Sequence, residues 1–547
     1  MTASPLLPIG VLLAGVVVLV IVGLPLRFRA TGPLAAGIAL LASLTLFALQ
    51  GRLPLAAPLS EWRPAALLSS PLSFRVDGLN WVFALALSLL STAALLTGLS
   101  RPGGHRTSLR AYVLLIMAAG LSALFASNLL TLCIAWTAFD LVFLVVMLSN
   151  VERAHAGEYT VFSVTLNGAA TLLLWVVALL IQVDGGSQYL HLAAFTPVQT
   201  TLLVLAAVFR LGLYPLHLWL PAEVELRPGL GSILHIVPAT LGLMLLARLA
   251  LLGDSAMALQ RALTLAGTAA LLVGALLAWG QDDYRRALSF ILLLEVGMAV
   301  LMGIWTGPYA PFVLVTEGLV LILATGLLFL AHGHDPRAHW ASVPSTIAGL
   351  ALLGIPGTLG FAGRALLYGA WAQAGQWPLL AVAVVTQAVL GAALVRILLR
   401  PSDEMFPRRL PLVVATVVGE FLLAAPMIIL GLAPDGLAAL LGLDVRPSFA
   451  DLLGNSAPAV WMTLVLAVAG VLVVFRYDRG LRATRVTARP WLTAALNLRW
   501  LYRLALRVAG AVTVVVRAMA NLLEGEGALL WTLIVLLLAW LFLSPIG

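Results

Sequence analysis

Runs of about twenty apolar residues follow one another along almost the whole chain, and a run of that length is what one α-helix needs to cross hydrocarbon. With 62% hydrophobic residues, 10% charged residues and a mean hydropathy of +1.07, no water-soluble core accommodates this composition. In lipid the backbone must satisfy its own hydrogen bonds, so uninterrupted apolar runs read as helices. The spans fall near 9–26, 33–50, 78–98, 111–127, 129–149, 161–182, 197–213, 230–252, 258–280, 287–305, 309–331, 344–370, 377–399, 411–432, 457–475 and 527–544. The expected fold is an all-α integral membrane protein of about 16 transmembrane helices.

All 31 basic side chains are arginines, and the chain has no lysine. An arginine keeps its proton at physiological pH, whereas a buried lysine can release it, so no proton relay here runs through amines. The sequence pI of 10.2 does not indicate nucleic-acid binding, because the arginines sit in short loops rather than in one basic patch. They crowd the loops after odd-numbered spans and are sparse after even-numbered ones. By the positive-inside rule this places both chain ends on the non-cytoplasmic side of the cell inner membrane. The first span has no basic residue before it and reads as retained rather than as a cleaved signal. Cys133 is the only cysteine, which excludes intrachain disulfides and cysteine-ligated clusters, and no nucleotide loop or haem motif points to a bound cofactor.

Two spans carry Pro and Gly where a simple membrane helix needs neither. Span 7 breaks in Gly212-Leu213-Tyr214-Pro215 and resumes past Trp219-Leu220-Pro221, and span 12 breaks in Gly354-Ile355-Pro356-Gly357. The breaks lie five spans apart. Because five is odd, two five-helix units would enter the membrane with opposite orientation, an inverted repeat of the kind transporters use, although kinks between packed helices would leave the same residues. The division that follows is 1–110 for the N-terminal helices, 111–252 and 258–399 for the two repeats, and 400–475 for additional helices. Residues 476–547 complete it, with Arg499, Arg503 and Arg507 at helical spacing on a C-terminal amphipathic lateral helix, before a final span.

Ionisable groups at membrane depth are costly and are functional candidates by default. They are Asp140 in span 5, Arg210 in span 7, Glu295 in span 10, Glu317 in span 11, Arg364 in span 12 and Glu420 in span 14, with His217 and His235 beside span 7 and in span 8. Asp140 is the expected partner of Arg210, forming either a fixed dipole or structural glue between two helices. Glu295 and Glu317 lie in mostly apolar helices and are placed to take up and release a proton, although Glu317 is near enough to the start of its span to reach the interface. His235 is a second exchangeable group or a satisfied core histidine. Glu420 lies outside both repeats and reads equally as a lateral contact. The loop His332-Gly333-His334-Asp335-Pro336-Arg337-Ala338-His339 has the groups but not the spacing of a zinc site, and reads as a solvated loop.

Several of these residues fall into motifs. Arg210-Leu-Gly-Leu-Tyr-Pro215-Leu-His217-Leu-Trp219-Leu220-Pro221 resembles the Lys-x-Pro-x-x-Pro-x-His-x-Trp-Leu-Pro signature of antiporter-like membrane subunits, found in proton-pumping NADH:quinone oxidoreductase and in Mrp-type sodium/proton antiporters. Gly354-Ile-Pro356 with Phe361 and Arg364, Asp283-Tyr-Arg285-Arg286 with Ser289-Phe290, and Trp136 resemble further motifs of that family. The resemblance implies a fourteen-helix core in which Glu, Lys and His residues move protons between two half-channels. This chain departs from it at the ionisable positions. The family's span 5 Glu falls on Thr137, its span 7 Lys on Arg210, its span 8 Lys on Thr240, its span 11 Lys on Thr325, and its span 12 Lys or Glu on Arg364.

The resemblance implies a membrane subunit of a multi-subunit ion-translocating complex that contributes a proton pathway, with other membrane subunits, the lipid bilayer and protons or Na+ as its partners. On that reading Asp140 and Arg210 set the field, and His217, His235 and Glu295 exchange protons, with Glu317 and Arg364 on the same path. The alternatives are a non-conducting structural or coupling subunit and a coupling subunit for inorganic-carbon uptake. A self-contained enzyme fits the sequence least well.

Overall fold

A computed structural model describes residues 4–26, 31–59, 70–101, 107–150, 154–217, 228–252, 259–331, 339–400, 407, 409–454 and 458–496. Beyond these it describes 498, 500–504, 507, 510–511, 513–514, 517 and 532–537. Two compact units divide the chain, residues 1–489 and 490–547.

The chain folds as an all-α integral membrane protein. Among the described residues, 12 helices are long and apolar enough to cross a bilayer. The remaining expected spans fall on α1 (Leu7–Leu26), on the 15-residue α7 (Pro197–Leu211), on a broken pair, and on residues 527–544, of which 532–537 are described and helical.

At the N-terminal side, α1 packs on α2 (Thr31–Leu49) and α4 (Thr107–Leu124), and α2 packs on α3 (Gly78–Gly98). Two short antiparallel strands, β1 (Leu55–Pro58) and β2 (Ser73–Val76), lead into α3. A capping box starts α3: the Asp77 side chain accepts from the Asn80 N–H, and the Asp77 N–H donates to Asn80 Oδ1. Arg248, near the end of α8 (Pro228–Leu251), donates to both Asp77 oxygens at 2.7 and 3.0 Å, tying two distant helices at their ends.

From α4 onward the same order of elements occurs twice. The first set is α4, α5 (Leu129–Asn150), α6 (Ala154–Val183), α7 and α8. The second begins with α9 (Gln260–Gly280), α10 (Tyr284–Trp305) and α11 (Ala310–Val320). There α11 continues through one π-helical stretch, Leu321–Thr325, into α12 (Gly326–Leu330). The broken span follows as α13 (Val343–Leu352) and α14 (Leu359–Gln373), and α15 (Trp377–Leu398) closes the set.

A left-handed glycine follows both α7 and α13. At the end of α7, Gly212 is left-handed (φ 67°), and just past α13, Gly354 is left-handed (φ 65°). Glycine adopts that conformation without the penalty a Cβ brings, and at Gly354 an added Cβ would collide with the Arg364 side chain. Residues Trp219, Leu220 and Pro221, at which span 7 is expected to resume, lie outside the described residues, as do 332–338 of the histidine-rich loop.

Every residue of α11, the π-helical stretch and α12 is buried, so this span is the centre of the packing. Apolar side chains instead face outward on peripheral helices, among them Ile21, Phe47, Leu141 and Leu172, as expected of surfaces that meet lipid. The remaining helices are α16 (Leu410–Leu432), α17 (Pro434–Leu440), α18 (Phe449–Gly454) and the 39-residue α19 (Pro458–Leu496). The helix α19 runs on past the expected end of the span at 475, through Arg476 and Arg489, and Arg489 donates to Asp282 at 3.1 Å. Arginine is a good helix former, and the helix continues through Gly480 as well. In the second unit the described residues are helical apart from Leu498, whose φ is 50°.

Candidate functional site

Two buried polar triads occupy matching places in the two sets. In the first, Asp140 on α5, Thr171 on α6 and Arg210 on α7 meet. Arg210 Nη1 lies 2.8 Å from Asp140 Oδ1, the Thr171 hydroxyl donates to Asp140 Oδ2 at 2.7 Å, and Arg210 Nη1 donates weakly to Thr171 Oγ1 at 3.4 Å. The guanidinium stacks against Trp136 (4.3 Å) and Phe139 (5.1 Å), so its faces are covered as well as its edge. Arg210 is fully buried and the Asp140 side chain is 14% exposed. One cation faces one anion, and the group is neutral.

In the second, Glu295 on α10, Glu317 on α11 and Arg364 on α14 meet, all three with 0% exposure, and Arg364 follows the left-handed Gly354 whereas Arg210 precedes Gly212. Arg364 Nη2 donates to both Glu295 oxygens at 3.1 and 3.0 Å. Its Nη1 lies 3.6 Å from Glu317 Oε2 and donates weakly to the carbonyls of Ala351 (3.4 Å) and Gly360 (3.5 Å), on either side of the break between α13 and α14. The broken helix therefore gives Arg364 backbone acceptors at membrane depth, which an intact helix would not. Here one cation faces two carboxylates.

The other expected site residues are separate from these triads. His235 on α8 sits with Nδ1 2.6 Å from the Gly231 carbonyl and Nε2 3.2 Å from Ser289 Oγ on α10, with its ring against Phe329. A carbonyl only accepts, so Nδ1 carries a proton, while Nε2 shares a hydrogen bond with a hydroxyl that also reaches the Arg285 carbonyl at 3.3 Å. This contact joins the first set of helices to the second. His217 stacks on Tyr214 and has Nδ1 3.2 Å from the Pro215 carbonyl, close to the break after α7. Glu317 is no interface residue; the central position of α11 buries it completely. Glu420 on α16 is 3% exposed.

Two positions at which the family pattern places amines, Thr240 and Thr325, and one at which it places a glutamate, Thr137, hold hydroxyls committed to their own helices. Thr240 donates to the Ile236 carbonyl at 2.9 Å, Thr325 to Leu321 at 2.7 Å, and Thr137 to Cys133 at 2.8 Å. Among the described residues no three His, Cys, Asp or Glu side chains are grouped to hold a metal ion. A cavity of about 670 Å³ lies between the two sets, lined mostly by apolar residues such as Val204, Leu249, Leu263, Ile304 and Leu314, and does not include the triads.

Residues 126–340, which contain the whole first triad and two members of the second, match the family model for the transmembrane part of NADH:quinone oxidoreductase and Mrp antiporter subunits. This segment resembles an antiporter-like membrane domain. Among similar proteins, subunit 5 of the chloroplastic NAD(P)H-quinone oxidoreductase of Saccharum officinarum is 35% identical over 134 residues, 24% of this chain and 18% of that protein. Subunit N of the NADH-quinone oxidoreductase of Geobacter metallireducens is 26% identical over 344 residues, 57% of this chain and 73% of its own. The chain thus spans less than a fifth of the first relative's length. Among solved structures, a chain of the Mrp complex from a Dietzia species superposes with a TM-score of 0.78 at 20% identity, over 98% of this chain and 62% of that one, and shares its fold. The matched segment stops short of Arg364, so the second triad is completed by residues beyond it.

The pairing of Glu295 with Arg364 is absent from the residue-by-residue reading of the sequence, yet a signal for it was there. The five-span offset that relates the two breaks also carries span 5 to span 10 and span 7 to span 12, and hence Asp140–Arg210 to Glu295–Arg364. Thr171 carried no such signal, because a hydroxyl in an apolar helix is too common to single out.

Proposed function

We propose that the chain is a membrane subunit of a multi-subunit ion-translocating complex, of the NADH:quinone oxidoreductase or antiporter type, and that its second set of helices carries a proton path. The observation behind this reading is the charge imbalance of the second triad. A buried group with one cation and two carboxylates is neutral only when it binds one more positive charge, and at membrane depth the cost of leaving it unneutralised is high. Asp140 and Arg210 are balanced and act as a fixed dipole. His235, bridging the two sets through Ser289, is the intermediate acceptor, and His217 stands at the break after α7.

On this reading residues 111–252 and 258–399 are inverted repeats, with both chain ends on the non-cytoplasmic side of the cell inner membrane and a lateral helix beyond Arg476. The other membrane subunits of the complex supply the redox chemistry or the second ion. Protons suit the triad better than Na+, because the Arg364 guanidinium already faces both carboxylates.

A second reading, a non-conducting coupling subunit, is favoured by one feature: Thr240 and Thr325 offer no titratable group where the family pattern has amines. Proton flux in proteoliposomes containing the natural partners separates the two. The conducting subunit loses flux on Glu295→Gln, and a wild-type complex whose flux is indifferent to Glu295→Gln and to His235→Gln is not using this path.

A further inference from the structure

We propose that Glu295 and Glu317 hold a single proton between them, borne by Glu317 and donated to Glu295. The inference rests on the reading of the second set as the proton-carrying one and specifies where the proton resides.

The geometry is asymmetric. Glu295 receives both hydrogen bonds from Arg364 Nη2, whereas neither oxygen of Glu317 has a hydrogen-bond partner among the described residues. Its nearest cationic contact, Arg364 Nη1 at 3.6 Å, is beyond hydrogen-bond length. A fully buried carboxylate without a donor is among the costliest groups a protein interior can hold. Glu317 nevertheless faces the same guanidinium as Glu295, toward Nη1 where Glu295 holds Nη2, which brings the two carboxyls side by side. Two carboxylates are acceptors only, so that contact is a hydrogen bond only when one of them carries a proton.

The first triad indicates which one. There the middle helix presents a hydroxyl, and Thr171 donates to Asp140, the carboxylate that faces the arginine. In the second triad the middle helix presents Glu317, and a protonated Glu317 makes the same donation to Glu295, the carboxylate that faces Arg364. Protonation therefore recreates the arrangement of the first triad, and deprotonation abolishes it. The O–H bond forms on the Glu317 carboxyl, and the triad passes from net negative to neutral without other chemistry.

The charged and titratable groups facing the pair are few. Arg364 and Tyr368, both on α14, are within electrostatic reach, and the Tyr368 hydroxyl, buried without a hydrogen bond of normal geometry, faces Gln387 on α15. On α8, His235 meets α10 at Ser289 rather than at Glu295. Among the described residues of α9 and α3 no carboxylate points to the pair.

Infrared difference spectroscopy of the purified full-length chain at neutral pH tests this through the carboxylic-acid C=O stretch, identified by its shift on hydrogen–deuterium exchange. A shared proton gives a band that disappears in Glu317→Gln and also in Glu295→Gln, because either change leaves one carboxylate against Arg364. Wild-type protein without such a band overturns the proposal, as does a band that survives either substitution. The wild-type spectrum decides even where a variant fails to fold. Flux measured in parallel keeps the two readings apart: a band without any flux sinks the conducting role and spares the shared proton, and flux without a band does the reverse.

Discussion

Arg364 holds both carboxylate oxygens of Glu295 at 3.1 and 3.0 Å, five spans along from the place where Arg210 meets Asp140 at 2.8 Å. The two arginines lie on either side of their glycine breaks, Arg210 before Gly212 and Arg364 after Gly354, and the triads differ in what the middle helix adds, Thr171 in one and Glu317 in the other.

Removing Arg364 exposes the cost of that difference. Arg364→Leu leaves two buried carboxylates without their cation and is expected to lower stability by about 3–5 kcal/mol, the range for breaking a buried pair. Arg364→Leu combined with Glu295→Gln is expected to recover part of the loss. Thermal unfolding in detergent measures both, and additive losses would mean that the two side chains do not interact.

The glycine breaks respond to a single methyl group. Gly354→Ala places a Cβ at φ 65° and against the Arg364 side chain, so the loss should exceed the roughly 1–2 kcal/mol of a left-handed L-residue alone. Comparison of its melting temperature with wild type and with Gly369→Ala, where a Cβ meets open space within α14, checks this.

Asp77 gives the chain an acid limit. Burial pushes its carboxyl up, but the Arg248 guanidinium, the Asn80 N–H and Arg75 outweigh burial and hold it below its ordinary value. A depressed carboxyl contributes stability that is complete above its unfolded value, about 3.9, and is lost as pH falls through the lower folded value. The melting temperature should therefore fall as the pH drops below about 4, and Asp77→Asn should be less stable at neutral pH and flatter in that acid range.

The hydroxyls at the family's amine positions carry no protons in this account. Thr240→Val and Thr325→Val remove bonds made only to their own helices, so flux in the reconstituted complex should stay within about twofold of wild type, less than 0.5 kcal/mol in the barrier. A drop of tenfold in either would place a hydroxyl on the path.

Much of this fold was legible because a bilayer imposes simple rules. Span length and the Pro-Gly breaks are each read from a few residues, and Gly212 and Gly354 fall where the breaks were expected. Asp140 with Arg210 was legible for the same reason, since a guanidinium at membrane depth must find an anion. Glu317 was not, because its distance from the start of the span says nothing of how the turn Gly307–Tyr309 and the neighbouring helices bury α11 from end to end. The continuation of α19 through its arginines was hidden because polarity marks the end of an apolar run, not the end of a helix.

The reciprocal change probes the middle helix of the first triad. Thr171→Glu sets a second carboxylate beside Asp140 and Arg210, and should add a protonated-carboxyl band to the infrared spectrum. No added band would mean that Asp140, with its 14% exposure, stays solvated enough to tolerate a charged neighbour.

The central claim is that Glu317 makes the second triad a proton carrier, and proton flux through the complex reconstituted with its natural partners tests it most directly when Glu317 is changed to Thr. That change converts the second triad into the pattern of the first. The account predicts a fall of at least about tenfold, or roughly 1.4 kcal/mol in the barrier, with Arg364 still paired to Glu295. Flux equal to wild type in Glu317→Thr would contradict it.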